Sequence, residues 1–248
     1  MAYGDVALPP EPPAAGALGD HGELFLLSAD GTEFGAYYAY PQSRRARSAV
    51  VVMPDERGLH RFYQELANRF ATAGLLAIGI DYYGRTTQLG SPRGESFPFH
   101  QHADQLRSEQ VTQDVHAATL WLRNDPAHNV NAVFSVGFGS GATLSLRQSA
   151  ADHGLAGCVG FYGRPDLVSS EIGSLRAPML VLAAGQDSTP VDEIERFAEQ
   201  VRDQGVEAEL HVYPDAPPSF FDRADAEYPQ ECDDAWRRVL AFIDRHGG

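Results

Sequence analysis

The stretch Val136-Gly137-Phe138-Gly139-Ser140-Gly141-Ala142 decides the fold, because it joins a short apolar strand to a helix through closely spaced glycines. The strand is predicted over Ala132–Gly137, and the helix over Gly141–Ala151. A strand, a tight glycine-rich turn and a helix in this order are typical of α/β proteins, whose ligands bind beside such turns. The loops that follow the predicted strands are therefore where functional residues are expected.

The rest of the chain repeats this alternation of strand and helix. Further strands are predicted over Ala49–Met53, Leu75–Ile80, Ala156–Phe161, Met179–Ala183 and Ala208–Tyr213, and helices over His60–Ala73, Glu109–Arg123, Asp192–Gln204 and Glu227–Arg245. Glu23–Ser28 and Glu33–Tyr40 flank a turn and predict a hairpin. The pattern predicts a mostly parallel sheet with helices on both faces, formed by residues 21–248. Residues 1–20 are rich in Pro, Ala and Gly and are expected to form a flexible arm.

Composition and charge exclude several classes of function. The 248 residues include 34 acidic and 19 basic ones, which gives a formal charge of −15, and all of the basic residues are arginine. Such a surface repels phosphate backbones and anionic lipids, so neither nucleic acid nor a membrane is an expected partner. The absence of lysine excludes Schiff-base chemistry and a P-loop NTPase.

The remaining composition indicates an ordinary globular protein. Cys158 and Cys232 are too few for a disulfide framework or a zinc finger. Residues 1–20 lack the basic start and apolar run of a secretory signal, and the expected location is the cytoplasm. We expect no cofactor and no metal, and a monomer or homodimer.

Six segments, taken in order, resemble the dienelactone hydrolase family of the α/β-hydrolase fold. They are Met53–Leu59, Asp81–Arg85, Val136–Ala142, Gly160–Gly163, Gly185–Asp187 and Tyr213–Phe220. The resemblance covers nearly everything from Glu23 onward and implies an α/β-hydrolase fold with an N-terminal β-hairpin. It also implies a small-molecule substrate, and in the family the reaction is hydrolysis of a lactone or an enol ester.

The resemblance also implies where the catalytic triad would lie. It places the nucleophile at Gly139, between the small residues Gly137 and Gly141, the acid at Asp187 and the histidine at Pro218. Neither glycine nor proline has a side chain that can attack or transfer a proton. The sequence therefore predicts non-hydrolytic chemistry, such as proton transfer, elimination or cyclisation, on a small carbonyl or carboxylate compound.

Several alternatives remain open at this point. The chain is either such an enzyme, a catalytically inactive ligand-binding or partner protein, or a residual hydrolase that uses Ser140. A nucleophile at Ser140 would put Phe138 where a small residue is needed. The glycines also fit a dinucleotide fingerprint, but no acidic residue follows the next strand to bind a ribose.

The other site residues also come from the resemblance and from loop positions. Asp55 stands where the family has a glutamate that interacts with its nucleophile, and backbone N–H groups at Ser140 and near Glu56 or Arg57 would form an oxyanion hole. Arg85 and Arg223 match arginines that hold a substrate carboxylate in the family. The remaining candidates for the substrate site are Arg57, Tyr82, Tyr162, Phe220, His100 and His102.

Overall fold

A computed structural model describes residues 3–42, 46–222 and 227–248. The strands are β1 (Leu18–Leu27), β2 (Glu33–Pro41), β3 (Ser48–Met53), β4 (Leu76–Asp81), β5 (Ala132–Phe138), β6 (Gly157–Phe161), β7 (Met179–Ala184) and β8 (Ala208–Tyr213). The α-helices are α1 (Arg61–Thr72), α2 (Phe99–Ala103), α3 (Ser108–Arg123), α4 (Ser140–Arg147), α5 (Val191–Asp203) and α6 (Pro229–His246). Shorter 3₁₀ segments cover Tyr82–Arg85, Gln148–Ala150 and Pro165–Ser174.

The described strands form one sheet in the order β1-β2-β4-β3-β5-β6-β7-β8. β1, β2 and β4 pair antiparallel, and every other neighbouring pair is parallel. The chain runs from β3 outward to β4 and later returns to β5 on the other side of β3. The order of strands thus reverses between β3 and β5, and in open α/β sheets ligands bind at the carboxyl ends of the strands at such a point.

Helices cover both faces of the sheet, as the alternating pattern predicts. Buried residues of α1 and α6 pack on one face, while α3 and α5 pack on the other. In α5 the buried side chains are Ile194, Phe197, Ala198 and Val201, whose spacing places them on a single stripe. None of the helices in the described ranges combines the length and the apolar character needed to cross a lipid bilayer.

The architecture confirms the predicted α/β-hydrolase fold, and two details differ. The segment between β4 and α3, expected to be irregular, contains α2. The helix after the glycine-rich turn ends at Arg147 and continues only as a 3₁₀ segment, short of the expected Ala151.

The N-terminal residues differ most from expectation. Residues 3–17 do not extend away from the domain: Tyr3 is only 3% exposed, Leu8 donates its amide to Asp222, and β1 already begins at Leu18. The physical reason is a pocket formed by aromatic residues of the core, which composition alone does not reveal. One contact of this segment, that of Tyr3 with Phe138, reaches the carboxyl end of β5.

Candidate active site

A sharp turn at Gly139 connects β5 to α4 and organises the site. Gly139 has φ 55° and ψ −120°, a combination that strongly favours glycine. Its neighbours are held by steric limits: a Cβ on Gly137 would lie 2.0 Å from the carbonyl oxygen of Gly141, and one on Gly141 would lie 2.1 Å from that of Pro54. The two positions that must be small are therefore 137 and 141, which centres the turn on Gly139 and not on Ser140.

The turn opens into a cavity of about 870 Å³ at the carboxyl ends of β3, β5, β6 and β7. Ser140 is the first residue of α4 and lines this cavity beside Gly139. The amides of Ala142 and Thr143 donate to the carbonyl of Gly139, whereas the first amides of a helix have no acceptor within it. The N-terminus of α4 therefore offers N–H donors and a partial positive charge at the cavity.

Asp187 and Pro218 also line the cavity, as the resemblance implies. The Oδ1 atom of Asp187 accepts the hydroxyl of Ser188 at 3.1 Å and the amide of Thr189 at 3.3 Å. Pro218 precedes Ser219, whose φ of 71° lies in the left-handed region. Among the described residues that line this cavity, none is a histidine or a cysteine.

Asp55 lies next to the cavity but is directed away from it. The residue is 1% exposed, and its carboxylate accepts the amide of Tyr3 at 3.0 Å and the amide of Arg57 at 2.9 Å. The Nε2 atom of His60 lies 3.7 Å from the same carboxylate. The amide of Arg57 is therefore engaged and does not serve an oxyanion hole.

Arg57, expected at the substrate site, and Arg85, expected to bind a substrate carboxylate, do not line the cavity. The guanidinium of Arg57 bonds the carbonyl of Tyr3 and the carboxylate of Asp5. Arg85 bonds Asp114 at 2.6 Å and also pairs with Asp30. These placements correct the expectation, because carboxylates of the protein itself hold both guanidinium groups, although the buried Nε atom of Arg57 has no hydrogen-bond partner. Arg223 lies outside the described residues.

The expected wall residues divide into two groups. Tyr82 and Tyr162 line the cavity, and burial raises the pKa of each hydroxyl well above its usual value, so both remain protonated. Phe220 does not line it; it is buried against Tyr162 and Tyr213. The difference arises because Phe220 faces the aromatic core between β6 and α6.

The loop histidines are also placed elsewhere. His100 is exposed and packs on Phe99, with ring centroids 4.0 Å apart. His102 stacks on Phe97, and its Nδ1 lies 2.9 Å from the hydroxyl of Thr86. Neither ring lines the cavity, because α2 contributes Ala103 to the wall instead.

Three charged residues that the sequence did not single out line the cavity. Glu56 is half-buried, and its charge contributes to the raised pKa of Tyr83. Arg147 is held by Glu171 at 2.7 Å, and Arg164 by Asp166 at 2.7 Å. Glu56 lies within the quoted segment Met53–Leu59, where the sequence analysis considered only its backbone N–H, whereas the arginines lie in α4 and after β6 without a local signal.

Two further features lie away from the large cavity. A second cavity of about 470 Å³ between β1, β2 and the start of α1 is lined by His60 and by the buried Asp81–Arg93 ion pair. Glu207, Glu209 and His246 form the one group in the described ranges with three potential metal ligands close together. Arg245 pairs with both glutamates, so a cation of the protein already occupies this position.

Comparisons with known proteins agree with the geometry. The family model for the "Dienelactone hydrolase family" matches residues 34–247. A protein of Escherichia coli K12 named "Putative carboxymethylenebutenolidase" is 26% identical over 234 residues, which cover 90% of this chain and 86% of that protein.

Solved structures are similar over the whole domain. A "Putative Dienelactone Hydrolase" from Klebsiella pneumoniae has a TM-score of 0.77 at 24% identity, covering 92% of this chain and 99% of its own. A dienelactone hydrolase-like promiscuous phosphotriesterase from metagenomic libraries has a TM-score of 0.74 at 19% identity, covering 91% and 99%. At these identities the two structures establish similarity of fold.

Proposed function

The chain belongs to the dienelactone hydrolase family, and we propose that it uses the family's cavity for acid–base chemistry other than hydrolysis on a small uncharged carbonyl compound. One observation carries the proposal. An open cavity lies in front of a nucleophile-type turn, yet the turn holds Gly139 and the described lining includes neither histidine nor cysteine. The cavity and the first amides of α4 support binding of a carbonyl compound, whereas the described lining lacks the imidazole and the thiol that would form and break an acyl-enzyme.

Ser140 supplies the one hydroxyl next to Gly139 in this part of the described chain, but it has no base. A serine nucleophile needs a neighbouring group that removes its proton, and the described lining contains no imidazole. The nearby carboxylate of Asp187 is engaged by Ser188 and Thr189. This argues against a residual hydrolase that uses Ser140.

The charges of the cavity favour an uncharged ligand over the carboxylate that the family resemblance implies. Both arginines of the lining are paired with acids, whereas Glu56 and Asp187 add two carboxylates to the lining. An anion would meet these carboxylates, and among the described residues of the lining no arginine is left without an acid partner to bind it. A carbonyl oxygen, in contrast, fits the unpaired amides at the start of α4.

The apolar part of the cavity suits a ligand with a hydrocarbon body. Its volume lies in the range of cavities that hold drug-sized ligands. The apolar side chains of the lining are those of Ala103, Leu106, Leu144, Leu167, Pro217 and Pro218, with the rings of three tyrosines. We expect a mono- or bicyclic ketone or a similar compound to bind with its oxygen toward Ser140.

Glu56 lines the cavity and is our candidate for the base. Its carboxylate would take a proton from the carbon next to the carbonyl, and the C–H electron pair would form an enolate with its negative charge on the oxygen near α4. Returning the proton to a different carbon would complete an isomerisation. Burial and nearby acids raise the pKa values of Tyr82 and Tyr83, so both stay protonated, and each hydroxyl already donates to a backbone carbonyl, that of Pro54 and that of Glu56 respectively.

The proposal is tested with two ligands of nearly the same shape, 2-tetralone and tetrahydro-2-naphthoate. We expect the ketone to raise Tm and the carboxylate to have no effect. In D2O we expect the protein to accelerate exchange of the ketone's α-protons, measured by proton NMR against buffer alone. General-base catalysis is worth on the order of 100-fold or more, so Glu56→Gln should abolish the acceleration and Asp187→Asn should retain it.

A catalytically silent binding protein is the second candidate, favoured by the engagement of Asp187 with its own loop. Binding of 2-tetralone without faster exchange would support it. Hydrolysis of p-nitrophenyl acetate above a boiled control, if lost in Ser140→Ala, would instead restore the hydrolase interpretation.

A further inference from the structure

The N-terminal residues Tyr3–Pro10 form a strap across the domain on the side of α1 and α6. The amide of Leu8 donates to Asp222 at 2.8 Å, and the indole of Trp236 donates to the carbonyl of Pro10 at 3.0 Å. Asp5 pairs with Arg57. The strap is therefore fixed at several points along its length and not only at its end.

Tyr3 is the most deeply buried part of this strap. Its ring stacks on Phe62 with centroids 3.7 Å apart, and it lies edge-on to Phe138, the residue before Gly139. Its amide donates to the carboxylate of Asp55, and its carbonyl accepts from Arg57. Asp55, the residue expected to face the nucleophile position, is thus used to hold the backbone of Tyr3.

The hydroxyl of Tyr3 connects the strap to the wall of the large cavity. It forms a hydrogen bond with the hydroxyl of Tyr162, which lines that cavity. Tyr162 has φ 39°, a left-handed conformation that a residue with a Cβ keeps only when its surroundings hold it there. The preceding residue, Phe161, accepts the amide of Gly139 at 3.0 Å, so the turn and the strained residue are joined.

We propose that Tyr3 is a positioning residue of the active-site cavity, which acts by holding Tyr162 in its strained conformation and thereby fixing the turn at Gly139. The proposal rests on the proposed function in that it takes this cavity to be where an uncharged carbonyl compound binds. Without the hydroxyl of Tyr3, the polar end of Tyr162 would be buried with no partner in the strap. Its backbone would then relax toward negative φ, and the amides at the start of α4 would move away from the ligand oxygen.

The test uses Tyr3→Phe, which keeps the ring and removes only the hydroxyl, in the full-length chain. Prodan, a neutral fluorescent aromatic ketone, reports binding through its emission. We expect the Kd for prodan to rise about 5-fold at a temperature well below Tm, since one hydrogen bond of ordinary strength is lost. Tyr162→Phe should raise it to a similar degree, and the double variant no further, because both changes remove the same contact.

Glu11→Gln is the matched control, because Glu11 anchors the chain just beyond the strap through an ion pair with Arg69 in the last turn of α1. It should leave the Kd unchanged even if Tm falls. A purely structural role for Tyr3 would lower Tm in Tyr3→Phe and leave the Kd as in the wild type, which would overturn the proposal. Additive effects of Tyr3→Phe and Tyr162→Phe would also overturn it.

Hydrogen–deuterium exchange gives a second measurement that needs no ligand. We expect Tyr3→Phe to speed exchange in the peptides that cover residues 137–145 and 160–165, and Glu11→Gln to leave both unchanged. If prodan does not bind the wild type, the ligand class of the proposed function is wrong and exchange alone decides the role of Tyr3. Unchanged exchange in these two peptides would refute the positioning role.

Discussion

The backbone of the site lies where the sequence predicts it, whereas three of the charged side chains predicted for the site do not. Gly137, Gly139 and Gly141 are in the expected turn at the cavity, whereas Arg57, Arg85 and Asp55 are used in buried contacts elsewhere. The steric demand for glycine in the turn comes from backbone atoms packed against it, those of Gly141 and of Pro54, and backbone atoms are present whatever the side chains are. A charged side chain bonds whichever opposite charge is nearest in three dimensions, and this changes when distant residues change. Likeness of a motif is therefore stronger evidence for backbone geometry than for the role of a charged group.

The largest effect is expected from adding one methyl group to the turn. In Gly137→Ala the new Cβ would lie 2.0 Å from a backbone oxygen that cannot move without displacing α4. We expect the variant not to fold, measured by far-UV circular dichroism and thermal unfolding. Gly173→Ala is the control because nothing lies within 4 Å of its Cβ, and its Tm should be close to that of the wild type. A folded Gly137→Ala protein with a normal Tm would show that the turn is not the rigid part of the site.

The second prediction asks whether Arg85 has a structural role. Arg85→Leu leaves Asp114, which is fully buried, without its guanidinium partner, and removing one member of a buried pair costs about 3–5 kcal/mol. Burial already raises the pKa of Asp114 while Arg85 opposes that rise. With a raised pKa the folded state binds the extra proton, so the stability deficit of the variant should shrink as pH falls from 7 toward 5.

Urea unfolding at both pH values measures this deficit, and the double variant Arg85→Leu with Asp114→Leu should recover much of it. The Kd for prodan in Arg85→Leu should match the wild type at a temperature where the variant is folded. A stable Arg85→Leu protein that has lost ligand binding would show that Arg85 belongs to the substrate site. It would contradict the contrast between the backbone of the turn and the charged side chains.

The same contrast between local backbone features and long-range side-chain contacts determines how much of the structure could be predicted from the sequence. The β5 strand, the turn and α4 were found from local spacing, and the alternation of strands and helices located the rest of the sheet. The partners of Arg85 were not predictable, since Asp30 and Asp114 lie far from it along the chain and meet it only in the folded protein. Burial of Tyr3 requires a pocket of aromatic residues from α1, β5 and β6, which the composition of its own segment does not indicate.

A third, smaller effect comes from Gly139 itself. A side chain at φ 55° and ψ −120° costs on the order of 1–3 kcal/mol, so Gly139→Cys should fold with a lower Tm. Combined with Pro218→His, the thiol should be labelled slowly by an activated ester, seen by intact-mass spectrometry, with little turnover. Because Pro218 precedes Ser219 at φ 71°, we expect this loop not to present an introduced imidazole in the required orientation. Rapid turnover in the double variant would mean that the loop, like the turn, retains a hydrolase geometry.

The smallest effect concerns His153. Arg85 is bonded to carboxylates, whereas the described hydrogen bonds of the His153 ring are to His116 and Gln148. His153 lies with its Nδ1 atom 3.1 Å from that of His116, and its pKa is lowered to about 4 by burial, with His116 and Arg123 adding repulsion and Asp152 opposing them. A histidine whose pKa is lower in the folded state binds fewer protons there than in the unfolded chain between pH 6.5 and 4. Stability therefore rises with pH through this window and is lost as pH falls from 6.5 toward 4.

His153→Gln should reduce the loss by about 1–2 kcal/mol, because each unit of pKa difference is worth about 1.4 kcal/mol and partial solvation reduces the sum. The measurement is urea unfolding of wild type and variant at several pH values, with His100→Gln as the control because that ring is exposed. Parallel curves for the wild type and His153→Gln would mean that the His153–His116 pair accepts a proton without loss of folding stability. The acid-sensitive point of this fold would then lie elsewhere.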